Sequence, residues 1–517
     1  MSRFLSAILV GALALMGVGT FVGLAVQRIP YPLEIDCIEG VMMDHITRLA
    51  NDQPIFVEPT LQFIPLAYMP GFAAVSSLVT RFSAEPAFWQ PRMVSFVASL
   101  LLMLLIAFIV RRETGRSLFA LGAAGLFALG FGFTGASYDV ARPDALMLLL
   151  AFSGLAALRL ERRRRGAVAA GVLLTLAFFT KQHAALFILG AIGHLAMQDR
   201  RRLPAFALTA LLGCGGGYAL LSAWLGSWFG VFTWSIPKGW SQFELGRIQQ
   251  YLGDGLFGAI GPLSVAVLLT LGSKHRPWSG APGLWSWTAF AAVGTGLMAT
   301  LDANAYRHLF TPTLVAFTIA GPIALHSLIR DLSAGGEGRQ SLAELAATLV
   351  LAASFIPLLY PTHIQLPHAR ALEAHHELVA RLEVMKGDVL MPYHGWYAQH
   401  SGHATSLQII ALDDIERSKG NEILRRDPEF LRRMFQPLRS GPGRPMILTD
   451  RPLEESGDLW ASIAPGYRLV DSLGWMRVAL TPITGNQFGP NLIYAPSEAV
   501  SDPDSTAMKL PPGASSR

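Results

Sequence analysis

Residues 88–110 read FWQPRMVSFVASLLLMLLIAFIV and are closed by Arg111 and Arg112. An α-helix rises ~1.5 Å per residue, so a run of this length covers the ~30 Å of bilayer hydrocarbon, and the arginine pair stops it at an interface. The pattern recurs at 4–26, 117–135, 144–158, 166–180, 183–197, 204–225, 256–272, 283–300, 309–328 and 343–360, each run bounded by charge, proline or a polar turn. Several of these are short for an upright span, so their ends must reach into flanking polar residues or bend. The expected fold class is an α-helical polytopic membrane protein of about 11 transmembrane helices.

Composition points the same way. The chain has 517 residues, 52% of them hydrophobic and only 15% charged, and a mean hydropathy of +0.40, a balance unusual for a soluble globule. The 50 Gly and 32 Pro are scattered, which excludes collagen-like and low-complexity readings. Cys37 and Cys214 are too far apart in the pattern of spans to suggest a disulfide framework or a thiolate metal site. The net charge of +5 forms no surface stripe, so no nucleic-acid partner is expected.

Instead the cations mark topology. Arg111, Arg112 and Arg116, then Arg159 with Arg162 to Arg165, then Arg200 to Arg202, then Lys274 and Arg276, then Arg330 and Arg339 fall in alternate connections. The opposite set holds isolated cations: Arg28, Arg48, Arg142, Lys181, Lys238, Arg247 and Arg307. Short basic loops stay on the cytoplasmic side. The reading is a multi-pass protein of the inner (plasma) membrane with a cytoplasmic N-terminus and an extracytoplasmic C-terminal region. The first apolar segment has the basic start of a signal peptide but no convincing small-residue cleavage site, so it is expected to remain as an anchor.

After residue 360 the composition changes: 34 of the Asp, Glu, Lys and Arg lie in the last 157 residues, against 43 in the first 360. The domain scheme is a membrane domain over 1–360, with its first outer loop at about 27–87, then a soluble α/β domain over 361–495 and a disordered tail over 496–517. In the soluble domain, Ala369 to Met385 reads as a helix, and Asp388 to Met391, Pro445 to Leu448 and Tyr467 to Val470 read as strands.

The outward loops hold the candidate chemistry. Loop one places Glu34, Asp36 and Glu39 just beyond the first span, followed by a helical stretch from Val41 to Asn51. A carboxylate there can be the general base on an acceptor hydroxyl or amine, or can hold a divalent cation against a phosphate; the plainer alternative is a set of surface acids. Behind them, Phe63 to Gly71, which includes Tyr68, reads as an amphipathic interfacial helix. Loop two sets Asp139, Arg142 and Asp144 at a helix mouth, as substrate contacts or as a simple ion pair. Loop three is little more than Thr180, Lys181, Gln182 and His183, its lysine a point charge for a phosphate or a snorkelling side chain.

Loop four mixes Trp234 and Trp240 with Lys238, Glu244 and Arg247, and its tryptophans suit an interfacial belt. Loop five adds Tyr306 and Arg307, which with Arg142 and Lys181 would make a cationic ring for a lipid-linked phosphate. His375, His376, His394, His400 and His403 lack metallopeptidase spacing and read as ordinary histidines. Tyr393, Trp396 and Tyr397 suit a core or a sugar-stacking surface. No Walker loop, dinucleotide fingerprint or nucleophile elbow occurs in a suitable context, so ATP hydrolysis is not expected.

The order of these segments resembles the polytopic GT-C glycosyltransferases, in particular the family 39-like proteins related to protein O-mannosyltransferases and lipid A aminoarabinose transferases. The resemblance rests on Asp36-x-x-Glu39-Gly40, Gln53 to Phe56, Tyr68 to Pro70, Ser137 to Asp144 and Thr180 to Gln182. Family members commonly have adjacent Asp and Glu in loop one. Here Ile38 precedes Glu39 and the nearest aspartate is Asp36, which leaves both acids as candidates for the catalytic carboxylate.

The resemblance implies a polyprenyl-phosphate sugar donor, membrane lipids as surroundings, and a lipid, glycan or protein acceptor on the outer face. Asp36 or Glu39 would deprotonate the acceptor, and Arg142, Lys181 and Arg307 would stabilise the leaving phosphate. Some relatives use a divalent cation such as Mg or Mn and others none, so no cofactor is assigned. A transporter of a lipid-linked or small solute and a non-catalytic membrane subunit are the competing classes; no matched halves with broken helices favour the first.

Overall fold

The computed structural model describes residues 2–83, 85–270, 280–333, 337–404, 406–440, 443–485 and 487–497. Lys274, Arg276 and the tail after residue 497 lie outside the described residues. The chain packs as two units. The membrane unit takes Met1–Phe56, Ala67–Leu366 and the short segment Ile483–Gly485. The C-terminal unit takes Val57–Leu66, Pro367–Pro482 and the described residues after Gly485.

The first eight helices of the membrane unit are α1 (Ser2–Arg28), α2 (Glu39–Ala50), α3 (Gly71–Arg81), α4 (Trp89–Thr114), α5 (Ser117–Leu129), α6 (Asp144–Leu160), α7 (Arg164–Thr180) and α8 (Ala185–Gln198). Among the described residues, five helices are long and apolar enough to cross a membrane: Ser6–Arg28, Trp89–Thr114, Leu203–Leu225, Arg307–Ser333 and Glu337–Leu358. Leu245–Ala259 and Gly261–Leu269 make a sixth if a pair bent by 85° is one span. That bend replaces the straight run expected at 256–272; Gly261 and Pro262 open the second helix there, and proline cannot continue the hydrogen-bond ladder of the first. α6, α7 and α8 are shorter, with 17, 17 and 14 residues. α5 ends at Leu129 rather than 135 because Gly130, Gly132 and Gly135 follow in turns.

Small residues set the packing, as expected where lipid tails are as apolar as the side chains. A Cβ on Gly125 of α5 would lie 2.4 Å from the Ala14 Cα of α1, and one on Gly17 would lie 2.7 Å from the Gly125 carbonyl oxygen. The Thr311–Ser333 helix is buried along most of its length, whereas Leu203–Leu225 is mostly exposed.

In loop one, α2 covers the expected helical stretch, but Phe63 to Pro70 is not an interfacial helix. Pro65 and Pro70 forbid the ladder, the segment runs irregularly, and the helix begins only at Gly71.

The C-terminal unit contains a four-stranded sheet, β1 (Val389–Leu390), β2 (Met446–Thr449), β3 (Tyr467–Ser472) and β4 (Leu492–Pro496), in the order β1-β2-β4-β3. β1 and β2 are parallel, with Val389 opposite Met446; β4 runs antiparallel to both β2 and β3. Ala371–Glu383 buries Ala371, Ala374, Leu378 and Leu382, the single stripe of an amphipathic helix. His394 is a core histidine 3.1 Å from Asp450, and Trp396 and Tyr397 are buried, which removes these two rings as a sugar-stacking surface.

Candidate active site

Two buried arginines fix the backbone of loop one. Arg92 rises from the first turn of α4, and its guanidinium donates to the carbonyls of Arg28, Tyr31 and Leu33 and to both carboxylate oxygens of Glu39 at 2.6 and 2.8 Å. Glu39 also accepts from the amides of Ile35 at 2.8 Å, Asp36 at 3.4 Å and Ala141 at 3.0 Å, the last of which ties loop one to loop two. Burial alone would raise the Glu39 carboxyl; Arg92 and the Ile35 and Ala141 amides outweigh it and hold it below the usual range. Arg28, at the end of α1, lies 3.1 Å from Asp139 without hydrogen-bond alignment and donates to the Ala136 carbonyl at 2.8 Å. Asp139 is fully buried, and that burial raises its carboxyl despite Arg28.

Beside this frame runs a chain of alternating charge. The Asp36 Oδ1 accepts from the Ile38 amide at 3.0 Å, and its Oδ2 accepts from Arg142 Nη1 at 2.8 Å. Arg142 Nη2 lies 3.4 Å from His308 Nδ1, and Arg142 Nε faces Asp144 Oδ2 at 3.9 Å, too far for a hydrogen bond. Asp144 Oδ1 accepts from Lys181 Nζ at 2.7 Å, and that ammonium lies 5.8 Å from the Tyr68 ring centre. Asp36, Arg142, Asp144 and Lys181 are all buried. Burial would lower the Arg142 guanidinium, but Asp36, Tyr68 and Asp144 more than reverse it and keep it charged. Among the described residues, Arg142 Nε and Asp144 Oδ2 make no hydrogen bond and meet each other as an ion pair.

The other expected residues divide. Gln182 donates to the Ala67 carbonyl at 3.4 Å, beside Tyr68. Glu34 is buried in loop one, where its charge bears on Tyr31. Tyr306 closes on loop two, since a Cβ on Gly135 would lie 2.8 Å from its ring. Arg307 is exposed, and its neighbour His308 meets Arg142 instead. Arg28 and Arg92 were the signals missed: an arginine at the edge of an apolar run needs an internal partner.

The donor set does not fit a divalent cation at Asp36, whose two oxygens are taken by Arg142 and an amide. Among the described residues no group of three or more His, Cys, Asp and Glu is placed to hold a metal ion.

The model of the dolichyl-phosphate-mannose-protein mannosyltransferase family matches residues 67–226. The structure resembles ArnT from Cupriavidus metallidurans in the apo state with a TM-score of 0.56 at 12% identity, over 92% of this chain and 96% of that one. The fold is that of the GT-C glycosyltransferases. The GT-C likeness extends to the same ArnT bound to undecaprenyl phosphate, at 13% identity and TM-score 0.54 over 94% and 97% of the two chains. It also extends to the archaeal oligosaccharyltransferase AglB from Archaeoglobus fulgidus, in complex with an inhibitory peptide and a dolichol-phosphate, at 12% identity and TM-score 0.52 over 96% of this chain and 75% of that one. No curated relative matches the sequence. The matched stretch 67–226 includes Tyr68, Asp139, Arg142, Asp144, Lys181 and Gln182, whereas Asp36 and Glu39 precede it.

Proposed function

We propose that this chain is a membrane glycosyltransferase that moves a sugar from a polyprenyl-phosphate donor to an acceptor on the outer face of the inner membrane. Eleven spans, a cytoplasmic N-terminus and an extracytoplasmic C-terminal region belong to the same reading. One observation supports it above the others: the buried Asp36 carboxylate is paired with Arg142 at 2.8 Å, and Arg142 and Lys181 flank Asp144. The relatives seen with undecaprenyl phosphate and dolichol-phosphate suggest the donor class.

The acceptor's hydroxyl or amine gives its proton to Asp36 and attacks the anomeric carbon. The bond between that carbon and the phosphate oxygen breaks, and polyprenyl phosphate leaves with the electron pair. Arg142 and Lys181 neutralise the developing charge, electrostatic catalysis of the oxyanion-hole kind. A phosphate competing for Arg142 would also loosen it from Asp36, so donor binding itself would free the base. Glu39 is no base here, because Arg92 and the amides of Ile35, Asp36 and Ala141 occupy its oxygens. Arg307, being exposed, is given no part in phosphate binding.

The test compares polyprenyl-linked sugars and envelope glycans by mass spectrometry in cells with and without the gene. One polyprenyl-phosphate sugar should accumulate in the deletion while one glycan modification disappears. Unchanged pools in cells that make the protein would reject the transferase.

A further inference from the structure

The three residues Ile483–Gly485 belong to the membrane unit although the chain on either side belongs to the C-terminal unit. They lie against the loop that bears Asp36. The Thr484 amide donates to the Ile35 carbonyl at 3.0 Å, and Thr484 pairs with Asp36 as an isolated parallel β-bridge. The Thr484 hydroxyl, itself buried, donates to the Gly135 carbonyl at 2.5 Å. One residue therefore joins loop one, which its backbone amide holds, to the turn that leads into Asp139 and Arg142, which its hydroxyl holds.

The next residue makes the closest approach. Gly485 has a φ of +77°, in the left-handed region, and a Cβ there would lie 2.5 Å from Cys37 Sγ and 3.2 Å from Asp36 Oδ1. Only glycine combines that backbone with that contact. The distant segment 483–485 thus packs directly on the carboxylate that faces Arg142.

We propose that residues 483–485 are a strap from the C-terminal region that holds the Asp36 carboxylate in register with Arg142, which makes Thr484 and Gly485 positioning residues for the transfer. This rests on Asp36 being the general base. Displacement of a reacting group by about 1 Å can cost ~100-fold in rate, so a hydroxyl that sets the loop-to-loop distance has a large lever.

Two experiments on the full-length protein test it. The first needs no substrate. With Cys214→Ser removing the other cysteine, Gly485→Cys should form a disulfide with Cys37 under mild oxidation, read by mass spectrometry of the linked peptides. Absence of that link in folded protein would overturn the strap.

The second complements the deletion strain and reads the lost glycan modification at matched levels of membrane protein. Thr484→Val should lower it by about 10- to 100-fold, while Thr484→Ser, which keeps the hydroxyl, should restore most of it. Gly485→Ala should lower it too, and Cys37→Ala in that background should recover part by clearing the Sγ contact. Wild-type modification by Thr484→Val beside an inactive Asp36→Asn would overturn the positioning role and leave the general base standing. An active Asp36→Asn would reject the base itself, and the positioning role with it.

Discussion

Asp36 and Glu39 stand three residues apart and are held in opposite ways. Both oxygens of Glu39 are locked between Arg92 and the amides of Ile35, Asp36 and Ala141, so Glu39 sets the shape of two loops. Asp36 is held by the Ile38 amide, by the Cys37 thiol and by Arg142, the partner that a phosphate draws away in the proposed reaction. Asp36→Asn is therefore expected in the membrane at wild-type level with transfer reduced by ~10²- to 10⁴-fold, the range of a lost general base. Glu39→Gln leaves the Arg92 charge buried and uncompensated, at a cost of about 3–5 kcal/mol, so it should lower the melting temperature and the yield of folded protein. Glu39→Gln that melts like wild type and transfers nothing would make Glu39 the base again. The sequence named both acids but could not rank them, because Arg92 sits 53 positions away inside an apolar run. It named Arg307 and gave His308 no role. The two open a single 3₁₀ turn, Arg307–Phe310, where successive side chains point about 120° apart, and here the histidine faces Arg142 while the arginine stays exposed.

At the scale of elements, apolar runs located the long helices well, because length and apolarity are local properties. Their ends and bends were less legible. The 85° break near Gly261 depends on how Pro262 is packed, and β4 gave no signal in a stretch rich in Pro and Gly. The α1–α5 contact was invisible too, since Gly17, Ala14 and Gly125 matter only once the helices meet. Gly125→Val places a branched side chain where a Cβ alone would lie 2.4 Å from Ala14 Cα, and overpacking of this kind costs about 1–3 kcal/mol or more. Its melting temperature in detergent should fall, and an unchanged value would mean that the two helices do not pack this way.

The Ile409–Glu416 helix of the C-terminal unit makes a separate prediction. Burial pushes Asp413 up to about 6, against the pull of Arg417 and Arg451; burial, with the Asp413 and Asp458 charges, pushes Glu416 up to about 7. The folded state thus holds protons that the unfolded chain releases near pH 4, so this contribution to stability is complete below about 4 and is lost as pH rises through 6 to 7. In the full-length protein, the C-terminal unit should resist proteolysis better at pH 5 than at pH 8, and Glu416→Gln should shrink the difference. Equal resistance of wild type at both values would contradict the predicted dependence.

For the whole molecule, the alternation of basic loops and the ion pairs of the membrane unit describe one axis. Arg159 at the end of α6 pairs with Glu113 at the end of α4 at 2.7 Å, and Arg116 pairs with Glu344 at 2.9 Å. At the other end of α6, Asp144 pairs with Lys181, which follows α7. The arginine clusters and the Asp36 chain therefore sit at opposite ends of the same helices, as the alternating loops require. If short basic loops are retained in the cytoplasm, the Asp36 chain opens to the outer side. Single cysteines in a background of Cys37→Ser and Cys214→Ser make this testable in intact cells. Lys419→Cys, exposed in the C-terminal unit, should react with a membrane-impermeant maleimide from outside, whereas Arg163→Cys, exposed between α6 and α7, should react only after permeabilisation. Labelling of both from the same side would break the alternation, and labelling in the reverse order would turn the Asp36 chain toward the cytoplasm, where a transfer on the outer face could not take place.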